Sequence, residues 1–393
     1  MQSIWSSPNP ILFGRGASAA VGEQLLRANC KRALVVYDAG VKAAGIADRI
    51  LANIRAAGIE TVCFDGVQPD PPIWSVEQAG ALGVSERVDC VVGVGGGSSL
   101  DTAKGAKLLI TNPPPLRQYF GREGVVTKPS VPLIVIPTTA GTGSECTPGG
   151  VITDTERGIK TNIAGIGCAV TLGIVDADLT LGLPASISAS TGMDALCHAA
   201  ESYTSARANS FSEIAGREAI RLAARHLVRV CENGSDAEAR EGMMLAATLG
   251  GIAMSGALCH LSHDIGRSLG AKFHVPHGNG CAACLPQVLE RVAPVMPQKL
   301  RFFAESFGLA LPPDASAEEI GRAAKDAALS LMKRINLPNM KALGLSKEEL
   351  TAVVPDEVVM QCETAAKIGI VTSPLPVTRE LIEEIVSRAF DEN

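Results

Sequence analysis

The chain has no basic block: 35 Lys and Arg against 41 Asp and Glu leave a net charge of −6 over 393 residues. Nucleic acid is therefore not expected as a partner. Met1-Gln-Ser-Ile-Trp-Ser-Ser-Pro8 lacks a basic segment followed by an apolar one, so no secretory leader is expected. No apolar run approaches the roughly 18 residues that a membrane span needs. Internal repeats and low-complexity tracts are also missing. The 11 cysteines form an odd, scattered set, which fits reduced thiols in a cytoplasmic protein better than a disulfide framework. Cys281-Ala-Ala-Cys284 has no second CxxC to pair with and reads as small apolar packing residues. At 46% hydrophobic and 19% charged residues, the chain is globular and long enough for two domains.

Its first half alternates between two patterns. Apolar, β-branched runs occupy 33–37, 61–64, 89–94 and 132–136, with helix-like stretches between them at 44–57 and 73–84. Buried strands alternating with helices predict an α/β fold, a parallel Rossmann-like sheet covered by helices. After Leu183-Pro184 long helical patterns take over, with few strand candidates. Ser235-Asp-Ala-Glu238, Ser316-Ala-Glu-Glu319 and Ser346-Lys-Glu-Glu349 read as capping boxes at helix starts. Leu311-Pro-Pro-Asp-Ala315 reads as a loop between helices. The expected division is an α/β domain over 1–183 and an all-α domain over 184–393.

Two loops in the first half suit a dinucleotide. Asp89 to Lys104 runs strand, glycine turn (Gly95, Gly96, Gly97, Ser98), helix. Glycines admit close backbone approach, and a helix N-terminus favours phosphate. Asp38 follows the first strong strand, where a carboxylate can hold a ribose 2′-hydroxyl and repel a 2′-phosphate. It precedes the glycine turn by 57 positions, whereas the usual fingerprint places the acid about 20 residues after the turn. The expected arrangement is therefore not the common GxGxxG one. Pro137-Thr-Thr-Ala-Gly-Thr-Gly-Ser144-Glu-Cys-Thr147 supplies hydroxyls and glycines directly after another strand, a second cradle for ribose or phosphate.

All six histidines fall between 198 and 277. Asp194 and His198 are four apart, on one face if the segment is helical. With His263 and His277 they offer one carboxylate and three imidazoles, donors that suit Fe(II) or Zn(II). Asp194 also has a plain explanation, because Thr191-Gly-Met-Asp194 is a capping-box pattern. His260 and His274 compete with His263 and His277 on spacing alone. His226 lies between basic neighbours that repel a cation.

Together these segments resemble the iron-containing (group III) alcohol dehydrogenases of the dehydroquinate synthase-like superfamily. The resemblance runs over nearly the whole chain. It is carried by Phe13-Gly, Gly95-Gly-Gly-Ser98 with Asp101, Pro137 to Glu145, Thr191-Gly-Met-Asp-Ala-Leu-Cys-His198-Ala-Ala-Glu201, and Pro276-His277-Gly. It implies a nucleotide domain, a helical domain, and an active site in the cleft between them. The implied metal ligands are Asp194, His198, His263 and His277, which leaves His260 and His274 to support or packing. The implied cofactor positions are Asp38, Asp70, Gly95, Gly96, Gly97, Ser98, Thr138, Thr139, Ser144, Thr147, Lys160 and Leu179. The chain departs from the family at Arg267, where many members have a histidine near the substrate. It departs again at Ser373-Pro-Leu375, where many have Asn-Pro-Arg.

The implied activity is reversible hydride transfer between a small alcohol and NAD, with NADP disfavoured by Asp38. The metal, Fe(II) or Zn(II), acts as Lewis acid. Arg267 would favour an acidic aldehyde, unless it serves a structural ion pair. The resemblance also implies a homodimer or larger homo-oligomer. Competing readings are a glycerol dehydrogenase- or maleylacetate reductase-like oxidoreductase, a dehydroquinate synthase-like lyase that returns NAD unchanged, and a non-catalytic nucleotide-binding protein.

Overall fold

The computed structural model describes residues 9–121, 125 and 127–392; the N-terminal octapeptide read above for a leader lies outside them. Two compact units divide the chain, one ending at Gly182 and the other beginning at Leu183.

In chain order the first unit holds β1 (Ile11–Phe13), α1 (Val21–Arg27), β2 (Arg32–Tyr37), α2 (Ala39–Ala43), α3 (Ile46–Ala56), β3 (Glu60–Phe64), α4 (Ile73–Ser85), β4 (Cys90–Gly95), α5 (Gly97–Thr111), β5 (Leu133–Pro137), β6 (Gly149–Asp154), β7 (Ile159–Ala164) and β8 (Leu172–Val175). Six strands form one sheet in the order β1-β8-β5-β4-β2-β3, parallel at every pairing. β6 and β7 form a separate antiparallel hairpin. Alternate residues of the central strands feed opposite faces, as the two-residue period requires. Val35, Val92 and Ile134 pack with Ile50 and Ile54 of α3, while Leu34, Val91 and Leu133 pack with Leu100 and Ala103 of α5. Both faces are covered, which is why these strands read as continuous apolar runs. From β2 the chain steps outward to β3, then returns on the other side of β2 as β4. The β2/β4 boundary is thus a topological switch point, where sheets of this kind open a crevice at the strands' carboxyl ends.

The second unit is helical: α6 (Ala185–Thr204), α7 (Ser210–Glu232), α8 (Ala237–Ala257), α9 (Leu261–Phe273), α10 (His277–Val292), α11 (Pro297–Ser306), α12 (Ala317–Arg334), α13 (Lys347–Lys367) and α14 (Arg379–Glu392). It contains no strand among the described residues. α6 is buried along most of its length and packs on α7, α8 and α10. Ser316 forms the expected capping box with Glu319. At Ser346 only half a box forms: its hydroxyl accepts from the Glu349 amide and donates a hydrogen bond to the Glu349 carboxylate. The start expected at Ser235 is corrected by one residue. Asp236 caps α8 through the Ala239 amide, because a carboxylate one position later reaches that donor. The capping-box reading of Thr191 is also overturned. α6 begins at Ala185, so Thr191 lies inside the helix, and its hydroxyl bonds back to the Ile187 carbonyl. Asp194 is therefore a buried interior carboxylate that no helix cap explains. No single described helix is long and apolar enough to cross a membrane.

Candidate active site

Three helices of the second unit carry the expected metal ligands. Asp194 and His198 lie one turn apart on α6, His263 lies in the first turn of α9, and His277 opens α10 after Pro276. Glycines let these helices meet closely enough. A Cβ on Gly278 of α10 would stand 2.1 Å from the Ser190 carbonyl oxygen of α6, and one on Gly266 of α9 would stand 2.8 Å from the Cys281 amide of α10. No side chain fits at either crossing without moving backbone.

The four residues converge on one atom. Asp194 Oδ1 lies 3.8 Å from His198 Nε2, 3.6 Å from His263 Nε2 and 3.7 Å from His277 Nε2. Ligands about 2.1 Å from a tetrahedral cation stand about 3.4 Å apart, so this spacing fits a shared ion better than direct hydrogen bonds. Asp194 Oδ1 and His263 Nε2 are both buried and have no hydrogen-bond partner, a costly state that a cation would relieve. Burial opposes ionisation of Asp194, but His198, His277 and His263 outweigh it and hold the carboxyl below its usual range. Asp194, His198 and His263 side chains are under a tenth exposed, while His277 is 37% exposed, so the site opens on the His277 side.

Glu201, seven residues after Asp194 on α6, supports this centre. Its carboxylate accepts the Ser262 amide at 2.6 Å, the His263 amide at 3.2 Å and His263 Nδ1 at 2.5 Å. One buried acid therefore caps α9 from another helix and turns the other nitrogen of His263 toward Asp194, as carboxylate–histidine–metal triads do. Burial works against the charge of Glu201, yet His260 and His263 bring its carboxyl down to about 2. Glu201 has no role assigned from sequence, although the spacing 194, 198, 201 puts it on the same helical face as Asp194 and His198. His260 joins the support by hydrogen-bonding the Thr204 hydroxyl at 3.0 Å. His274 ends α9 in a left-handed conformation, and His226 is buried in α7 against Gly242 of α8. Arg267, one turn after His263, pairs with Asp264. Its Nε is buried without a hydrogen-bond partner.

The first unit gathers Asp38, the Gly95–Ser98 turn, Thr138, Thr139, Ser144 and Thr147 after the carboxyl ends of β2, β4 and β5, while Asp70 follows β3, Lys160 lies on β7 and Leu179 follows β8. Asp38 caps α2 through the Val41 amide and accepts the Ser99 hydroxyl at 2.8 Å. This links the end of β2 to the glycine turn across the switch point. Gly95 has φ +146°, and a Cβ there would stand 2.4 Å from Ser99 Oγ, so only glycine fits. The turn delivers Gly97 and Ser98 into the first turn of α5, where amides lack helical partners. The Thr138 amide donates to the Gly95 carbonyl, and Thr139 lies against Gly96. Ser144 and Thr147 are held differently from a solvent-facing cradle. Lys104 Nζ donates to Ser144 Oγ at 2.6 Å, Thr147 Oγ1 at 2.9 Å and the carbonyls of Ser144 and Gly149 at 2.7 Å. Burial lowers the Lys104 pKa and raises that of Asp101, whose Oδ1 accepts the Ser144 hydroxyl. Lys104, missed from sequence, thus fixes the second loop onto α5; its signal was the three-residue step from Asp101. Lys160 and Asp70 form an ion pair with each other at 2.7 Å. Leu179 is buried in the core cluster with Val35 and Ile136. All eleven cysteines are unbridged.

Residues 8–177 match the model of the iron-containing alcohol dehydrogenases, and residues 188–390 match that of the C-terminal domain of the Fe-containing alcohol dehydrogenase family. The 1,3-propanediol dehydrogenase of Klebsiella pneumoniae is 39% identical over 303 residues, 77% of this chain and 78% of that protein. The NAD-dependent methanol dehydrogenase of Bacillus methanolicus is 33% identical over 347 residues, 87% of this chain and 90% of that one. A solved 1,3-propanediol oxidoreductase superposes with a TM-score of 0.92 at 34% identity, covering 99% of this chain and 100% of that one. Two family models that together span almost the whole chain, with relatives this similar, make it a member of the iron-containing alcohol dehydrogenase family.

Proposed function

We propose that the protein is an NAD-linked, metal-dependent alcohol dehydrogenase that interconverts a small primary alcohol and its aldehyde. The observation that carries this is the convergence of three imidazoles on a buried carboxylate oxygen without a hydrogen-bond partner. In this reading the unit beginning at Leu183 holds the metal through Asp194, His198, His263 and His277, and the unit ending at Gly182 holds NAD. A divalent iron or zinc ion so held supplies the positive charge that lowers the pKa of the alcohol hydroxyl, and NAD supplies the hydride acceptor. Glu201 keeps His263 in the tautomer that presents Nε2. Asp194 supplies the anionic ligand, and the exposed edge of His277 marks the side from which substrate enters. Asp38 would hold the ribose hydroxyls and disfavour a 2′-phosphate. The Gly95–Ser98 turn and the first amides of α5 would hold the pyrophosphate. Thr138, Thr139 and the Lys104-braced loop with Ser144 and Thr147 shape the other wall. Asp70 and Lys160 bind as a pair, and Leu179 contributes through its main chain.

The test is NADH formation with methanol, ethanol and 1,3-propanediol. Stoichiometric NADH supports a dehydrogenase; product formed with no net NADH supports the lyase reading. Glycerol with NAD, and maleylacetate with NADH followed as NADH consumption, separate the neighbouring oxidoreductases. An acidic aldehyde remains a second reading, favoured by one observation: Arg267 Nε is a buried donor without an acceptor. Asp264 already neutralises the guanidinium. A higher kcat/KM for the acidic aldehyde than for a neutral one of equal length would support it, and the reverse order would count against it. The proposal also places the enzyme in the cytoplasm as a homo-oligomer. The unbridged cysteines support a reducing compartment, and light scattering of the purified protein measures the assembly.

A further inference from the structure

The thiol of Cys281 lies within the ligand cluster. Its Sγ is 3.8 Å from His277 Nδ1 and 3.7 Å from Nε2. With Asp194, His263 and His277 it makes a group whose donor atoms all lie within 4.8 Å of one another. Sulfur about 2.3 Å and nitrogen about 2.1 Å from one cation stand about 3.1–3.8 Å apart at the roughly 90–120° angles of a five-coordinate site, so the distance to Nε2 suits two ligands of one ion. The placement follows from sequence: His277 and Cys281 are one turn apart on α10 and share a face. Cys281 is fully buried, and Gly266 of α9 leaves room for its sulfur, since a Cβ there would stand 2.7 Å from Sγ. Cys259 is the other thiol nearby. It groups with His198 and His263 but not with Asp194, the residue on which the others converge.

We propose that Cys281 is a further metal donor in this enzyme, a thiolate beside Asp194, His263 and His277, the ligands whose donor atoms it lies among. The proposal rests on the metal-site reading above. When the sulfur–metal bond forms, the thiol proton leaves to solvent. A soft donor shifts the site toward zinc-like ions, so Cys281 would bear on which metal the enzyme prefers.

The experiment loads the full-length, chelator-stripped protein with Co(II) and records its absorption spectrum. The wild type should show a sulfur-to-cobalt charge-transfer band in the near ultraviolet. The band should be lost in Cys281→Ala and Cys281→Ser and kept in Cys259→Ala. Thermal melting and cobalt stoichiometry show which variants remain folded and loaded, and the serine variant covers a failure of the alanine one. Stoichiometric cobalt with no such band in the wild type overturns the proposal and leaves the four-residue site standing. A band that survives both Cys281 substitutions also overturns it. Protein that binds no cobalt sinks the metal site and this proposal together.

Discussion

Glu201→Gln separates the strength of the metal site from the integrity of the fold. The carboxylate uses Oε1 for the Ser262 amide and Oε2 for the amide and Nδ1 of His263. A carboxamide of the same shape offers only one oxygen. With its NH2 at the Oε1 position, the Ser262 amide faces a donor. With its NH2 at the Oε2 position, both nitrogens of His263 do. Either orientation leaves a buried donor unpaired, at about 1–3 kcal/mol. The second orientation also releases the ring that presents Nε2 to the ion. Loss of such a support costs about 10–100-fold in metal affinity, or about 1.4–2.8 kcal/mol. The assay is competition with a chromophoric chelator at fixed pH, beside thermal melting of chelator-stripped protein. A folded variant that holds Zn(II) within twofold of wild type would refute the role given to Glu201.

Other positions give separable outcomes. Asp38→Gly removes the carboxylate at the end of β2, so the kcat/KM ratio of NADP to NAD should rise at least tenfold, about 1.4 kcal/mol. The lost α2 cap should cost about 1 kcal/mol in a denaturation curve. Lys104→Met leaves four oxygens without the ammonium they share and Asp101 without its cation. Breaking a buried pair costs about 3–5 kcal/mol, so the first unit should melt early and KM for NAD should rise while metal content stays unchanged. Gly266→Ala places a methyl 2.7 Å from Cys281 Sγ and 2.8 Å from its amide. Overpacking of about 1–3 kcal/mol should part α9 from α10, and elemental analysis should find less metal bound.

The central strands of the first unit were legible because β2, β4 and β5 are buried on both faces and read as unbroken apolar runs. β1 and the hairpin β6–β7 were not, since they are short or half exposed. The candidate metal ligands stood out through the clustering of histidines and the four-residue step from Asp194 to His198, but the role of Glu201 depends on α9 beginning against α6, which no local pattern encodes. Thr191 shows the converse: a capping pattern inside a helix is only a pattern, because the true start at Ala185 is set by Pro184. Lys104 received no role from sequence, and only the fold of the 144–149 loop explains why it is buried. Cys281 read as packing because its CxxC stands alone, although its four-residue step from His277 on α10 puts the two on one face.

The central claim is that Asp194, His198, His263 and His277 hold the ion on which alcohol oxidation depends. Metal content and NADH formation should be measured on the same preparations of wild type and the His263→Ala/His277→Ala double variant, before and after chelation. The wild type should carry stoichiometric metal, lose activity on chelation and regain it with Fe(II) or Zn(II), while the folded double variant should hold little metal and turn over negligibly. Full turnover by metal-free double variant would contradict the account.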